Sequence, residues 1–346
     1  MALQPISREK KMIKIDGSAG EGGGQILRTA LGLSLVTGQS FHITNIRANR
    51  KKPGLMRQHL TAVRAAAEIG SALVEGAEIG SGKLVFTPAA IRPGSYHFSI
   101  GTAGSCTLVF QTILPALLIA DGPSELVLEG GTHNPMAPPF DFLEKTFLPL
   151  LHQMGAKVTA ILDRPGFYPA GGGRINITVE PAKALRPIEL LSLSNIGCSA
   201  RAVCAQLPGH ICRRELSVVQ DKLEISDEKI EQIQLDQYGP GNALSIFVHS
   251  DQLTETFTGF GQKNVSAEKV ASKTIKQVKA YIQAASPVGP FLADQLLIPI
   301  ALAGSGCIKT GRPSNHTLTN IEVIKQFLDI DFKLSQVSDD AWEIKA

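Results

Sequence analysis

The chain has 346 residues, which exceeds one ordinary domain and sets an expectation of two folding units. Apolar residues make up 43%, enough for a sizeable core, and 33 glycines with 20 prolines call for many tight turns. A net charge of +3 excludes a protein that coats long nucleic acid, so such a partner would be gripped only locally. No apolar run approaches the ~18 uninterrupted residues of a membrane span, so no membrane partner is expected.

The chain opens on a polar stretch, Met1 to Lys11, that lacks the apolar core of a signal peptide and reads as a disordered extension over 1–11. Cys106, Cys198, Cys204, Cys212 and Cys307 form no C-x-x-C pair and are odd in number. Free, mostly buried thiols in a reducing cytoplasm are the expectation.

From residue 12 the elements follow a repeating order. A strand over 12–15 enters the glycine-rich turn Asp16–Gly24, an apolar helix runs to Gly38, and a strand covers 41–46. A loop and a second helix over 55–69, closed by Gly70, follow. The order then recurs as a strand over 96–100, a turn from Thr102, an apolar helix to Gly122, a strand over 125–128 and a helix over 140–154. The offset is constant: Thr102 follows Ser18 by 102 − 18 = 84 residues, and Gly122 follows Gly38 by 122 − 38 = 84. Gln295, Pro299 and Gly306 repeat Gln111, Pro115 and Gly122 at 295 − 111 = 184, and 184 − 84 leaves about 100 residues inserted in a third copy. That copy continues as a strand over 307–310 and a helix over 318–328.

Each copy reads as β-α-β-α-β-β, one sheet with two helices on one face, giving a mixed α/β (α+β) fold. The copies occupy 12–192 and 287–346. The insert, 193–286, reads as a small α/β domain with strands over 199–207 and 243–249 and helices over 211–222 and 266–283. The second of these helices is amphipathic, with Val270, Ile275, Val278 and Ile282 on one side.

Polar groups gather at corresponding places. The turn Asp16–Gly24 fits neither the G-K-[S/T] phosphate loop nor G-x-G-x-x-G. Its Glu21 would repel a phosphate unless a divalent cation lay between them; a helix-end acid favoured by the dipole is the alternative. The three first helices carry Arg28-Thr29, Gln111-Thr112 and Asp294-Gln295 inside apolar runs, either a satisfied core network or one shared polar site. Arg47, Arg50, Lys51 and Lys52 crowd one loop, which fits phosphate recognition as well as a solvated charge run. His316, in Pro313-Ser-Asn-His-Thr-Leu-Thr-Asn320, sits at a strand-to-helix junction where amides favour anions. A neutral imidazole there is a candidate nucleophile toward phosphorus; packing or capping is the plainer reading.

Several segments together resemble RNA 3′-terminal phosphate cyclase. They are Glu21-Gly-Gly-Gly-Gln-Ile-Leu-Arg28, Lys52-Pro-Gly-Leu55 with Gln58-His59, Gly104-Ser-Cys-Thr107, Phe167-Tyr-Pro169 with Gly171–Gly173, Leu292-Ala-Asp-Gln295, and Pro313–Asn320. The resemblance runs from residue 12 to the C-terminus. It implies three repeats like the C-terminal domain of a bacterial translation initiation factor, with an inserted domain.

It implies a reaction in which His316 attacks the α-phosphorus of ATP, AMP passes to an RNA 3′-phosphate, and the 2′-hydroxyl closes a 2′,3′-cyclic phosphate. By the same resemblance Gln111, Phe291, Leu292, Ala293, Asp294 and Gln295 match nucleotide-binding positions. Arg28, Arg47, Arg50 and Gln58 match phosphate or RNA contacts, and Glu21 a contact to magnesium or manganese. Phe291 departs from the pattern by standing where relatives carry tyrosine; its ring can stack a base but loses a hydroxyl. Two rivals are a non-cyclising relative acting in ribosome assembly, against which His316 argues, and an enolpyruvyl transferase-like enzyme, which needs no covalent nucleotide. Oligomeric state stays open, a homodimer included.

Overall fold

A computed structural model describes residues 12–346, and the expected disordered extension over 1–11 lies outside the described residues. The first unit is β1 (Ile13–Asp16), α1 (Gly24–Thr37), β2 (Phe41–Thr44), α2 (Arg57–Ile69), β3 (Leu73–Glu75) and β4 (Leu84–Thr87). The second is β5 (Ser95–Ser99), α3 (Cys106–Leu118), β6 (Ser124–Gly130), α4 (Phe140–Phe142), a π-helical turn (Leu143–Phe147), α5 (Leu148–Gln153), β7 (Lys157–Arg164) and β8 (Gly173–Glu180). After β9 (Glu189–Leu190) come β10 (Gly197–Ala205), α6 (His210–Leu223), β11 (Ile230–Leu235), β12 (Gly241–His249), β13 (Thr254–Phe260) and α7 (Ala267–Ala284). The chain closes with α8 (Pro290–Ala303), β14 (Cys307–Thr310), α9 (Asn315–Phe327), β15 (Lys333–Ser338) and β16 (Ala341–Lys345).

Three of the four sheets share one order: β1-β2-β4-β3, β5-β6-β8-β7 and β9-β14-β16-β15. In each, the first two strands run parallel around a helix and the remaining contacts are antiparallel. Burial alternates along β6 and β8, so one face of that sheet carries helices while the other is open. The fourth sheet, β11-β10-β12-β13, carries α6 and α7 and has its own apolar cluster around Ala202, Leu244 and Val278.

Helices α1, α3 and α8 are buried along most of their length, which explains apolar sequences with little amphipathic character. They meet in the middle of the molecule: α1 packs on α2, α3 and α9, and α8 on α9. Serines cap where an apolar segment begins, with Ser105 accepting from Leu108 N, Ser266 from Lys269 N and Ser314 from Thr317 N.

Three expectations are corrected. The helix expected over 140–154 is interrupted by the π-helical turn, and Pro149, which has no N–H to donate, follows Leu148 just after it. The helix expected from 318 begins at Asn315, because Ser314 supplies the cap and places His316 inside the first turn. The expectation of free thiols fails for one pair: Cys204 and Cys212 form a disulfide, their Cα atoms 6.3 Å apart. The turn from β10 into α6 folds the helix back over the strand and brings these two residues together. Cys106, Cys198 and Cys307 are free.

Candidate active site

The glycine-rich turn after β1 is held against α9, and this contact brings the first and third units together. Thr319 Oγ1 accepts a hydrogen bond from Glu21 N at 3.0 Å. Gly20 lies at φ +55°, and a Cβ there would run into the Thr319 side chain. That position therefore requires glycine on both conformational and steric grounds. Thr319 follows His316 by one helical turn, so the same contact sets Glu21 beside His316, with Glu21 Oε1 3.8 Å from His316 Nε2.

His316 is half-exposed, and its Nδ1 lies 2.8 Å from Gln25 Oε1 on α1. The Gln25 amide nitrogen donates to Asp294 Oδ1 on α8, which orients the amide with its oxygen toward the histidine. Nδ1 of His316 then carries a proton, so in the neutral ring the lone pair is on Nε2, which faces Glu21 and solvent. Asp294 accepts a second bond from Asn320 Nδ2 at 3.0 Å, and Asn320 Oδ1 accepts from Thr29 at 2.7 Å. Burial pushes the Asp294 carboxyl above its ordinary value, opposed by His316, Asn320, Gln25 and Arg28. Three helices, α1, α8 and α9, thus contribute to one chain of hydrogen bonds that ends on the imidazole.

A cleft of about 70 Å³ opens beside this chain, lined by Gln25, Arg28 and Thr29 of α1, Gln111 of α3, Asp294 and Gln295 of α8, and Asn320 of α9. Apolar side chains, among them Leu114, Pro115, Ile298 and Pro299, line the rest of it. Of the polar pairs singled out on the three first helices, all but Thr112 therefore line one space, and Thr112 bonds back to Leu108 O. His316 is not part of the lining and connects to it through Gln25.

Arg28 makes no hydrogen bond or ion pair among the described residues. Burial, offset in part by Asp294, lowers its pKa to about 10, so it remains cationic at neutral pH. A guanidinium at a cleft wall with no hydrogen-bond partner of its own is a strong attractor for an anion. His59 of α2 faces Gly24 and the Arg28 guanidinium. Its Nδ1 accepts from Met56 N at 3.3 Å, and burial with the nearby Arg28 and Arg47 charges lowers its pKa to about 3. It is a neutral donor, not an acid-base switch.

The remaining predicted residues divide. Arg50 reaches the turn and pairs with Glu21 through Oε1. Arg47 Nη1 instead donates to Lys52 O at 2.8 Å and Gly54 O at 2.7 Å, closing its own loop. Gln58 is half-buried, with Nε2 buried and unpartnered, so it has an amide donor to offer. Phe291 is 74% exposed at the start of α8, whereas the side chains of Leu292 and Ala293 are in the core and could reach a ligand only through backbone. No group of three metal-capable side chains occurs among the described residues. A metal here would suit the magnesium pattern of one protein carboxylate, Glu21 through Oε2, completed by phosphate oxygens.

The family model for RNA 3′-terminal phosphate cyclase matches residues 19–334. A curated RNA 3′-terminal phosphate cyclase of Koribacter versatilis (strain Ellin345) is 53% identical over 327 residues, covering 94% of this chain and 92% of that protein. The chain belongs to the RNA 3′-terminal phosphate cyclase family. It is accordingly an ATP-dependent, ligase-type enzyme.

Within this cyclase fold, sequence reasoning missed Gln25, Thr319 and Asn320 as parts of the candidate site. Thr319 and Asn320 could have been found by helical spacing, since positions three and four after His316 share its face. Gln25 stands in the same motif as Glu21 and Arg28, but nothing local shows which way its amide points.

Proposed function

We propose that this chain converts an RNA 3′-terminal phosphate into a 2′,3′-cyclic phosphate, with His316 Nε2 as nucleophile toward ATP in the cytoplasm. The single observation that supports this most directly is the Asp294–Gln25–His316 chain of hydrogen bonds. It fixes the proton on Nδ1 and presents Nε2 as a lone pair.

Nε2 attacks the α-phosphorus; the bond to the bridging oxygen breaks, and pyrophosphate leaves with that electron pair. The resulting imidazolium adenylate carries its positive charge partly on Nδ1–H, where the Gln25 oxygen stabilises it. An oxygen of the RNA 3′-phosphate then attacks the adenylate phosphorus and displaces the imidazole. The vicinal 2′-hydroxyl, losing its proton, attacks the terminal phosphorus and expels AMP. The last step is intramolecular, so little positioning entropy is lost.

Arg28, Arg50 and Gln58 would hold phosphate oxygens, and Arg47 would add its charge from the edge. Gln111 and the strip from Phe291 to Gln295 would receive the nucleoside, with Phe291 offering a ring face in place of a hydroxyl contact. A magnesium or manganese ion at Glu21 would neutralise charge on the phosphate oxygens. A non-cyclising role in ribosome assembly would leave the oriented imidazole without use, and an enolpyruvyl transferase would not need it.

The test is an oligonucleotide ending in a 3′-phosphate on a 2′-deoxy sugar. It should accept AMP and stall before ring closure, and a 3′-hydroxyl end should accept none. Cyclic product from RNA lacking the 3′-phosphate would refute this order of steps.

A further inference from the structure

The strip from Phe291 to Gln295 starts two residues after Gly289, and the segment 287–289 is held by one residue of the fourth sheet and one of α7. Glu255, on β13, is 4% exposed, and its Oε2 accepts from Gly289 N at 2.9 Å. Gly289 is the N-cap of α8, and a Cβ there would stand 3.0 Å from the Glu255 carboxyl. Tyr281, on α7, donates its hydroxyl to Pro287 O at 2.7 Å. From the opposite side Val288 N donates to Lys309 O at 3.1 Å, and Val288 bridges to Thr310 of β14. The segment 287–289 is thus clamped between the third unit and the β10–β13 layer.

A buried carboxyl is an expensive way to fill space, since an apolar side chain of similar volume would be enclosed at far lower cost. Burial pushes the Glu255 carboxyl up to about 8, opposed by bonds from Gly289 N and Thr256 N, and its proximity helps raise the Tyr281 hydroxyl. What the carboxyl provides that a leucine could not is an acceptor at one fixed point. That point is the first backbone donor of α8. Fixing it sets the helix's rotation about its axis, and with it the direction in which Asp294 and Gln295 face the cleft.

We propose that Glu255 and Tyr281 are positioning residues that fix the N-terminal end of α8, so that the inserted layer sets nucleotide affinity without touching the nucleotide. This rests on the reading of the Phe291–Gln295 strip as the nucleotide site.

The experiment measures equilibrium binding of ATP and, separately, of a 3′-phosphorylated RNA oligonucleotide, both to the full chain. Glu255→Leu should weaken ATP about tenfold, the equivalent of one buried hydrogen bond, with RNA-end affinity within about twofold of wild type. Glu255→Gln, which keeps an acceptor for Gly289 N, should restore ATP affinity to within about threefold. Tyr281→Phe should weaken ATP by about threefold, and it decides the matter if Glu255→Leu does not fold.

Phe291→Ala is the control on the underlying reading. Unchanged ATP affinity there removes the strip as the nucleotide site. If Phe291→Ala weakens ATP while Glu255→Leu and Tyr281→Phe bind as wild type, the positioning role is overturned. It is equally overturned if Glu255→Gln binds as poorly as Glu255→Leu, or if ATP and RNA affinity fall together.

Discussion

Two histidines follow the second strand of their units, His133 in a loop and His316 in the first turn of α9, and the chain treats them in opposite ways. His133, after β6, is 2% exposed, its ring tilted 31° against Phe167 with centroids 5.1 Å apart and bonded to Thr132 through Nδ1 at 2.7 Å. Its Nε2 faces Asp141 at 3.9 Å, and Asp141 is itself bonded to Arg201 and Ser245. Burial lowers the His133 pKa against the pull of Asp141. His316 is half-exposed, with one nitrogen oriented by Gln25 and the other without a hydrogen bond, 3.8 Å from Glu21 Oε1. One imidazole is buried beside Asp141, whose bonds to Arg201 and Ser245 join β10 and β12 to the second unit; the other is oriented from behind by Gln25 and half-exposed in front. A loop position repeated in the fold therefore does not settle function, whereas the number of nitrogens left available does.

The comparison breaks first at Gln25. Replacing it with leucine removes the acceptor that fixes the His316 tautomer, and self-adenylation should fall on the order of 10²–10³-fold, as for a lost preorganised donor or acceptor. Labelling with α-labelled ATP checks this, and a loss under about threefold would mean that Gln25 does not orient the ring. At the other histidine the effect should appear in stability. His133→Ala opens a cavity and leaves Asp141 with one fewer partner, so it should cost about 2–3 kcal/mol in denaturant unfolding while labelling per folded molecule stays near wild type. Labelling lost together with stability would make His133 part of the chemistry. The smallest effect is expected at Glu21→Gln, which keeps the shape of the turn and its bond to Thr319. Labelling should fall about tenfold and become less responsive to magnesium or manganese. An unchanged metal titration would reduce Glu21 to the partner of Arg50.

Much of the frame was legible in the sequence, because the repeat is written in spacing. Ser18 and Thr102 begin equivalent turns, Gln111 and Gln295 occupy equivalent helix positions, and the three sheets share one strand order. His316 was legible because Pro313 and Ser314 mark a helix start on chemical grounds alone. The bond that orients it was not, since Gln25 and His316 are 291 residues apart in sequence and meet only through the packing of α1 on α9. The loop cations illustrate the same limit. Arg47 and Arg50 look alike in sequence, yet one closes its own loop and the other reaches Glu21, a choice fixed by the path of the backbone. Nor did sequence show the Cys204–Cys212 pair or the interruption at Leu143–Phe147, where contacts with β13 act on a segment that reads as ordinary helix.

The central claim is that the open nitrogen of His316 forms a bond to phosphorus, and one measurement addresses it directly. Wild-type protein and His316→Ala are incubated with α-labelled ATP and divalent metal, and the label is then followed through acid, alkali and peptide mapping. A phosphoramidate on the peptide containing His316, lost in acid, retained in alkali and absent from the variant, is the predicted result. Label that survives acid, or that appears as strongly on His316→Ala, would contradict it.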